Sequence, residues 1–326
     1  MSIKKGISFY RKAFTKLNRD HKKGGAPHKP ILLLSILQAF QEELITDNII
    51  YLTPELVGLF KSNWNEYVIT DHDVRFALPF YHLSNEKANF WRLIPNLGYE
   101  KMIESKSAMR SFKTLKLAVK YVEIDSELFH LMLDKNNNRI LHETIVGKYF
   151  SHKKGDSSSL PTNYIEQISN EILEESTVEY VKKFRQLRAN LNEKEYEEER
   201  FLRDVGFKRE VLRNYNNTCC ISGLRIDTTV NISMLDACHI IPFAESHDDT
   251  ISNGLALTPT LHRAFDRGLI ALDDNYQILV GKHFIEKNHS SYGIKQFENK
   301  QILLPDSLMK LPSLEKLRHH RERFGF

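Results

Sequence analysis

Four residues with chemically useful side chains follow one another at short spacings in the C-terminal third of the chain: His239, Asn253, His262 and Asp266. His262 and Asp266 are four residues apart and follow Pro259, a residue suited to the first turn of a helix. On such a helix both side chains lie on one face. An imidazole and a carboxylate placed in this way can bind one divalent cation.

His239 has the best position of the four to act as a base. Residues 235–241 predict a short strand, and a neutral imidazole on it titrates near working pH. Asn253 lies in the loop that returns the chain, where it can orient His239 or bridge the strand and the loop. A base beside a cation suits phosphodiester hydrolysis, so we predict His239, Asn253 and His262 as catalytic residues.

The cation would need a further ligand from the strand that carries His239. Asp236 and Cys238 are the two candidates on that strand. A carboxylate suits magnesium or manganese, whereas a thiolate suits softer metals. We therefore expect Asp236, His262 and Asp266 to bind Mg²⁺ or Mn²⁺, and Cys238 stays open as the alternative strand ligand.

The segment from about residue 201 to 280 resembles the His-Asn-His (HNH) endonucleases, in particular the McrA-like branch found in modification-dependent restriction enzymes. The resemblance covers the strand histidine, the loop asparagine and the helix histidine, with Asp266 in place of a second helix histidine. It implies a metal-dependent DNA endonuclease with a ββα-metal core. Many such relatives hold structural zinc in paired Cys-x-x-Cys motifs. This chain has three cysteines, too few for two pairs, so no structural zinc is expected.

The first 150 residues contain two segments suited to DNA recognition. Residues 24–30 form a basic, glycine-containing loop before a helix, where His28 and Lys29 can reach a phosphate. The second segment, residues 75–93, interleaves aromatic residues and Pro79 with basic ones, which could form an apolar pocket with phosphate contacts at its rim. The basic residues of this second segment are Arg75, His82 and Arg92.

Residues 8–150 resemble the sulfur-binding domain of phosphorothioate-dependent restriction endonucleases. The resemblance rests on the His-Lys-Pro loop before an apolar helix, and on Leu-Pro-Phe-Tyr-His-Leu followed by Phe-Trp-Arg-Leu. It implies a type IV restriction enzyme that recognises phosphorothioated double-stranded DNA, with the sulfur pocket at Leu78, Pro79 and Phe80 and with His28 beside it. The alternatives are recognition of another modification, such as methylcytosine, and a non-catalytic DNA-binding protein with a degenerate nuclease fold.

These assignments predict an α+β protein in three parts. Residues 1–150 would form a mixed α/β DNA-recognition domain, 151–200 a linker and helical connector, and 201–326 the HNH nuclease domain. Within them, we expect a buried helix from near Pro30, a helix capped by Thr53, and strand and loop over 75–93. The linker would occupy 151–162, and a charged helical segment would follow it with a solvated run at 193–200.

Composition narrows the class of protein further. The formal net charge is +4, and basic residues concentrate in the first thirty residues and in the C-terminal tail, which suits contact with a polyanion at two places. No apolar run is long enough to span a bilayer and no signal peptide is evident, so a cytoplasmic protein without membrane contact is expected. One HNH core cuts one DNA strand, and a homodimer is one way to supply the two cores that double-strand cleavage needs.

Overall fold

The computed structural model describes residues 5–105, 111–153, 163–226, 233–282, 284–287 and 293–326. The fold is α+β, as the sequence predicts, with many helices and small antiparallel sheets. Two compact units divide the chain. Unit 1 contains residues 1–167 and 191–202, and unit 2 contains residues 168–190 and 203–326. Most of the predicted linker, from residue 154 to 162, lies outside the described residues.

The elements up to residue 153 all belong to unit 1. Its helices are α1 (Ile7–Phe14), α2 (His28–Gln41), α3 (Pro54–Tyr67), α4 (Ala77–His82), α5 (Glu100–Glu104), α6 (Phe112–Ala118), α7 (Ser126–Leu133) and α8 (Lys135–Tyr149). Its strands are β1 (Ile49–Ile50), β2 (Trp91–Pro95) and β3 (Val119–Ile124). They form one antiparallel sheet in the order β1-β3-β2.

Helix α2 is the centre of unit 1. It is apolar around nearly its whole circumference, which is the pattern of a buried helix, and it packs against α3, α4, α7 and α8. The helix predicted near Pro30 is thus confirmed, although it begins at His28. The cap predicted for α3 is also confirmed, since the Thr53 hydroxyl accepts a hydrogen bond from the Leu56 backbone N–H at 3.2 Å.

The prediction of strand and loop over residues 75–93 is wrong for its first part, because Ala77–His82 is the helix α4. Pro79 is compatible with this helix because residues of the first turn need no intrahelical acceptor for their N–H groups. The Glu198 carboxylate accepts the backbone N–H groups of Phe76 and Ala77 at 2.9 and 3.2 Å. A contact from far along the chain therefore completes the helix start, and local composition does not reveal it.

The predicted solvated run 193–200 is also different in the structure. Glu198 and Glu199 are each 1% exposed, and Glu199 forms an ion pair with the buried Lys61 at 2.5 Å. Burial raises the pKa of Glu198 to about 7, even though the Phe76 and Ala77 N–H groups favour its charged form. These carboxylates are part of the interior of unit 1.

Three helices follow residue 163: α9 (Tyr164–Glu174), α10 (Thr177–Asn190) and α11 (Glu193–Asn214). Helices α9 and α11 contribute residues to both units. The remaining elements all belong to unit 2. They are β4 (Asp236–His239), α12 (Phe243–Ser246), β5 (Gly254–Leu257), α13 (Pro259–Asp266), β6 (Ile270–Leu272), β7 (Ile278–Val280) and α14 (Leu314–Phe324).

Unit 2 contains two antiparallel pairs, β4 with β5 and β6 with β7. The predicted strand at 235–241 is confirmed as β4, and the helix predicted from Pro259 is confirmed as α13. Gly268 follows that helix with a φ of +62°, and a Cβ there would lie 2.2 Å from the Phe324 ring.

None of the helices in the described part of the chain is long and apolar enough to cross a membrane.

Candidate active site

The β4–β5 pair and helix α13 form the frame of the site. His239, the last residue of β4, lies opposite Gly254 of β5, and α13 packs against both strands. A Cβ on Gly254 would lie 2.3 Å from a Val211 methyl group and 3.2 Å from the Phe207 ring. Glycine at this position therefore lets α11 approach the strands closely enough to place Phe207 beside His239.

The His239 imidazole is held by two contacts. Its ring stacks on Phe207 with a centroid distance of 3.9 Å and an interplanar angle of 10°. Its Nε2 lies 2.9 Å from Oδ1 of Asp249, which is fully buried. An ionised carboxylate can only accept a hydrogen bond, so Nε2 carries a hydrogen, and in the neutral imidazole Nδ1 keeps the lone pair that a base needs. Asp249 was not predicted from the sequence.

Asn253 connects the strand to the loop that carries Asp249. Its Oδ1 accepts a hydrogen bond from the Ile241 N–H at 2.9 Å, and its Nδ2 donates to the carbonyl oxygens of Ile241 and Asp248 at 3.0 and 2.9 Å. Of the two roles considered for this asparagine, the geometry is that of the bridge. The same loop is tied to α14 through a buried ion pair between Asp248 and Lys316 at 2.5 Å.

A group with metal-ligating atoms lies where α13 packs against β4. Atoms of Cys238, His262 and Asp266 all lie within 4.8 Å of one another. The His262 Nε2 is 3.2 Å from Asp266 Oδ2, and the Cys238 thiol donates to Asp266 Oδ1 at 3.6 Å. Asp236 contacts the opposite nitrogen of the same imidazole, with 3.4 Å between its Oδ2 and His262 Nδ1.

The strand residue within this group is Cys238, the alternative that the sequence left open, whereas Asp236 was the preferred strand ligand. Asp236 and Cys238 are two residues apart on one face of the strand, about 6.7 Å, and His262 and Asp266 are one helical turn apart, about 6 Å. The two spacings nearly match, so Cys238 faces Asp266 while Asp236 faces His262.

The charges in this group favour a cation. Hydrogen bonding to Asp266, and more weakly to Asp236, raises the pKa of His262. Burial alone would raise the pKa of Asp266, but hydrogen bonds from His262 and Cys238 outweigh it and hold that pKa below its usual value. Burial raises the pKa of the Cys238 thiol well above its ordinary value. The Asp266 carboxylate thus fits a divalent cation, whereas the His262 imidazole and the Cys238 thiol, whose pKa values are both raised, would each join it only by losing a proton to the metal.

The candidate base and the candidate cation ligands border one cleft of about 370 Å³. His239 lines it together with His262 and Asp266. Helix α14 contributes further lining side chains, namely His319, His320, Arg323 and Phe324. The sequence indicated this contribution only through the basic composition of the C-terminal tail. The arrangement places a proton acceptor and a cation-binding group on the walls of one cleft, next to basic side chains.

Unit 1 contains a separate pocket of about 470 Å³, in which five of the eight residues predicted to recognise DNA take part: His28, Lys29, Leu78, Pro79 and His82. Arg19, Asn18, Asp20, Ala26, His72 and Asn85 complete its lining. The pocket surface is mainly apolar. Arg19 was not predicted from the sequence.

The other three predicted residues lie elsewhere in unit 1. Phe80 is fully buried between Phe76 and Trp91, because it occupies the inner face of α4, so the prediction that it contacts the ligand is wrong. Arg92 is on the sheet, paired with Glu123. Arg75 precedes α4 and is not among the described residues that line the pocket.

Two predicted phosphate contacts are also engaged within the protein. The Lys29 ammonium is buried and bound by Glu86 and by the Asn18 carbonyl oxygen. His28 Nε2 donates to the Asp73 carbonyl oxygen at 2.9 Å, and burial lowers the pKa of His28 to about 4. His28 is therefore neutral at physiological pH and offers the pocket an aromatic edge rather than a charge.

Residues 219–273 match the model of a family described as HNH endonuclease. Comparison with curated proteins finds none that matches this chain. Among solved structures, the chain is similar to a "Modification dependent TagI restriction endonuclease", with 21% sequence identity and a TM-score of 0.27. The similarity covers 37% of this chain and 38% of that one, so the chain spans well under half of the length of that relative. Residues 219–273 form a C-terminal HNH endonuclease domain.

Proposed function

We propose that this protein is a metal-dependent DNA endonuclease in which His239 is the general base. The observation that carries the proposal is the pairing of His239 Nε2 with Asp249, which leaves Nδ1 as the proton acceptor of an imidazole that lines the same cleft as His262 and Asp266. This geometry occurs inside the segment that matches the HNH endonuclease family.

The reaction follows from these positions. His239 Nδ1 accepts the proton of a water molecule, which becomes the nucleophile toward the scissile phosphorus. A divalent cation bound at His262 and Asp266 would neutralise charge on the phosphate and the leaving oxygen. Asn253 keeps the Asp249 loop against β4, so that the base retains its orientation. Arg323, which lines the same cleft and forms an ion pair with Glu245, would provide a positive charge for the DNA backbone by exchanging that partner for a phosphate.

We also propose that unit 1 directs cleavage to phosphorothioated DNA, as in a type IV restriction enzyme. The pocket of unit 1 supports this proposal because Leu78 and Pro79 give it an apolar wall and His28 beside them is neutral. Sulfur is larger, more polarisable and less strongly hydrated than oxygen. A mainly apolar pocket with Arg19 as a pocket-lining cation therefore suits a phosphorothioate better than an ordinary phosphate.

Matched duplexes test both proposals in one experiment. The full-length protein is incubated with Mn²⁺ or Mg²⁺ and with three duplexes of identical sequence: unmodified, carrying one phosphorothioate of defined stereochemistry, and carrying methylcytosine. We expect tighter binding and faster cutting of the phosphorothioate duplex. Equal behaviour on the first two would refute sulfur recognition and leave the nuclease intact, and preference for the third would favour methylcytosine.

A matched pair of variants locates the recognition site. Leu78→Ala removes a side chain that lines the pocket, whereas Leu97→Ala alters a leucine of the same unit that is 96% exposed and outside it. We expect Leu78→Ala to reduce the preference for the phosphorothioate duplex and Leu97→Ala to preserve it. The same loss in both variants would show that this pocket does not recognise the phosphorothioate.

A further inference from the structure

Asp249 has a second partner outside the HNH segment. Its Oδ2 accepts a hydrogen bond from the Tyr180 hydroxyl at 3.1 Å, while its Oδ1 faces His239. Tyr180 lies on α10 and is 1% exposed. Both oxygens of the buried Asp249 carboxylate are thus occupied, one by the base and one by a phenol from almost seventy residues earlier in the chain.

The direction of the Tyr180 hydroxyl is fixed by Arg203. Arg203 Nη1 donates to the phenol oxygen at 2.9 Å, and Glu171 accepts from the other end of the same guanidinium at 2.8 Å. An arginine can only donate, so the phenol oxygen accepts from Arg203 and its own hydrogen points to Asp249. Burial raises the pKa of Tyr180, so the phenol keeps that hydrogen.

We propose that Tyr180 is a positioning residue for the nuclease reaction, acting through Asp249 on the tautomer of His239. The proposal rests on the proposed function of His239 as the base. With its oxygens oriented by Tyr180, the Asp249 carboxylate accepts from His239 Nε2 in one fixed geometry, and Nδ1 stays free of hydrogen in the cleft. Hydrogen bonds in such a buried chain strengthen one another, and each member holds the next.

Tyr180→Phe removes the hydroxyl and keeps the ring, and Tyr215→Phe is its matched control. Tyr215 is a buried tyrosine of the same unit whose hydroxyl has no hydrogen-bond partner among the residues that the structure describes. On the phosphorothioate duplex with Mn²⁺, we expect Tyr180→Phe to lower kcat roughly tenfold with KM unchanged, as for the loss of one hydrogen bond to a charged group. Tyr215→Phe should keep the wild-type kcat.

A double variant distinguishes a positioning role of Tyr180 from a general contribution of its hydroxyl to the structure. In Asp249→Asn the fixed Tyr180 donor would hold the amide oxygen and turn the amide NH₂ toward His239 Nε2, which forces the hydrogen onto Nδ1. Removing the donor lets the amide turn over, so Asp249→Asn with Tyr180→Phe should cut faster than Asp249→Asn alone. A double variant slowed by the product of the two single effects would overturn the proposal.

Imidazole nitrogen NMR of the wild-type protein provides a readout that does not depend on how any variant folds. We expect His239 to carry its hydrogen on Nε2, and a hydrogen on Nδ1 would overturn the proposal. Wild-type protein that cuts none of the duplexes would refute the proposed function and this role together. Wild-type protein that cuts, with Tyr180→Phe cutting at the same rate, would refute the role of Tyr180 alone.

Discussion

Replacing Asp249 by asparagine should slow cleavage strongly, although it changes only one oxygen to an NH₂ group. The Tyr180 hydroxyl donates to Oδ2, so the asparagine oxygen takes that place and the NH₂ group faces His239 Nε2. The imidazole then accepts at Nε2 and carries its hydrogen on Nδ1, where the base must be free. Returning to the productive tautomer leaves a buried donor without an acceptor, which costs about 1–3 kcal/mol.

This cost corresponds to a loss of about five- to 140-fold in kcat, since about 1.4 kcal/mol is a factor of ten. The assay is single-turnover cleavage of the phosphorothioate duplex with Mn²⁺, together with a DNA-binding titration without metal. The control is Asp274→Asn, which alters an aspartate on the surface of the same unit that pairs with Arg318 and Arg321. Cleavage by Asp249→Asn within twofold of wild type would refute the orientation of the base described above.

Three further predictions follow from the geometry. Cys238→Ala should weaken Mn²⁺ binding in calorimetric titration more than Asp236→Asn does, because Cys238 belongs to the group of ligand atoms within 4.8 Å. The reverse order would make Asp236 the strand ligand. Folding raises the pKa of Glu198 from 4.5 to about 7, so the folded protein binds a proton at this carboxylate more tightly than the unfolded chain does. The free energy of unfolding should therefore fall as pH rises from about 4.5 to about 7. In Glu198→Gln, the free energy of unfolding measured with urea should lack this fall of about 3 kcal/mol. The same pH dependence in both proteins would contradict the assignment. Arg323→Ala should raise the Kd for DNA and reduce its salt dependence by about one phosphate contact, whereas Arg318→Ala, on the same helix but outside the cleft lining, should leave both unchanged.

The frame of the candidate site could be predicted from the sequence because its signals are local. Pro259 sets the start of α13, and the spacing of four places His262 and Asp266 on one face of it. Asp249 was not predicted because it lies in a polar loop, where no periodicity indicates which carboxylate turns inward. Tyr180 reaches it from a helix almost seventy residues earlier in the chain, and no local pattern specifies such a contact.

The errors in unit 1 have the same cause. Aromatic residues around Pro79 are typical of strands and turns, yet Glu198 accepts the N–H groups that begin helix α4. Glu198 and Glu199 look like part of a solvated charge run, yet Lys61 and the start of α4 bury them. In each case the deciding interaction joins residues more than a hundred positions apart, whereas composition and periodicity report only on neighbours.

The most direct test of the proposed nuclease is a comparison of wild-type protein with His239→Ala on one phosphorothioate duplex with Mn²⁺. Cleavage is followed on a denaturing gel, and binding is measured without metal. We expect the wild-type protein to cut the duplex, and His239→Ala to bind it with the same affinity without cutting. Cutting by His239→Ala at the wild-type rate would contradict the assignment of the base, and failure of the wild-type protein to cut any duplex would contradict the proposed function.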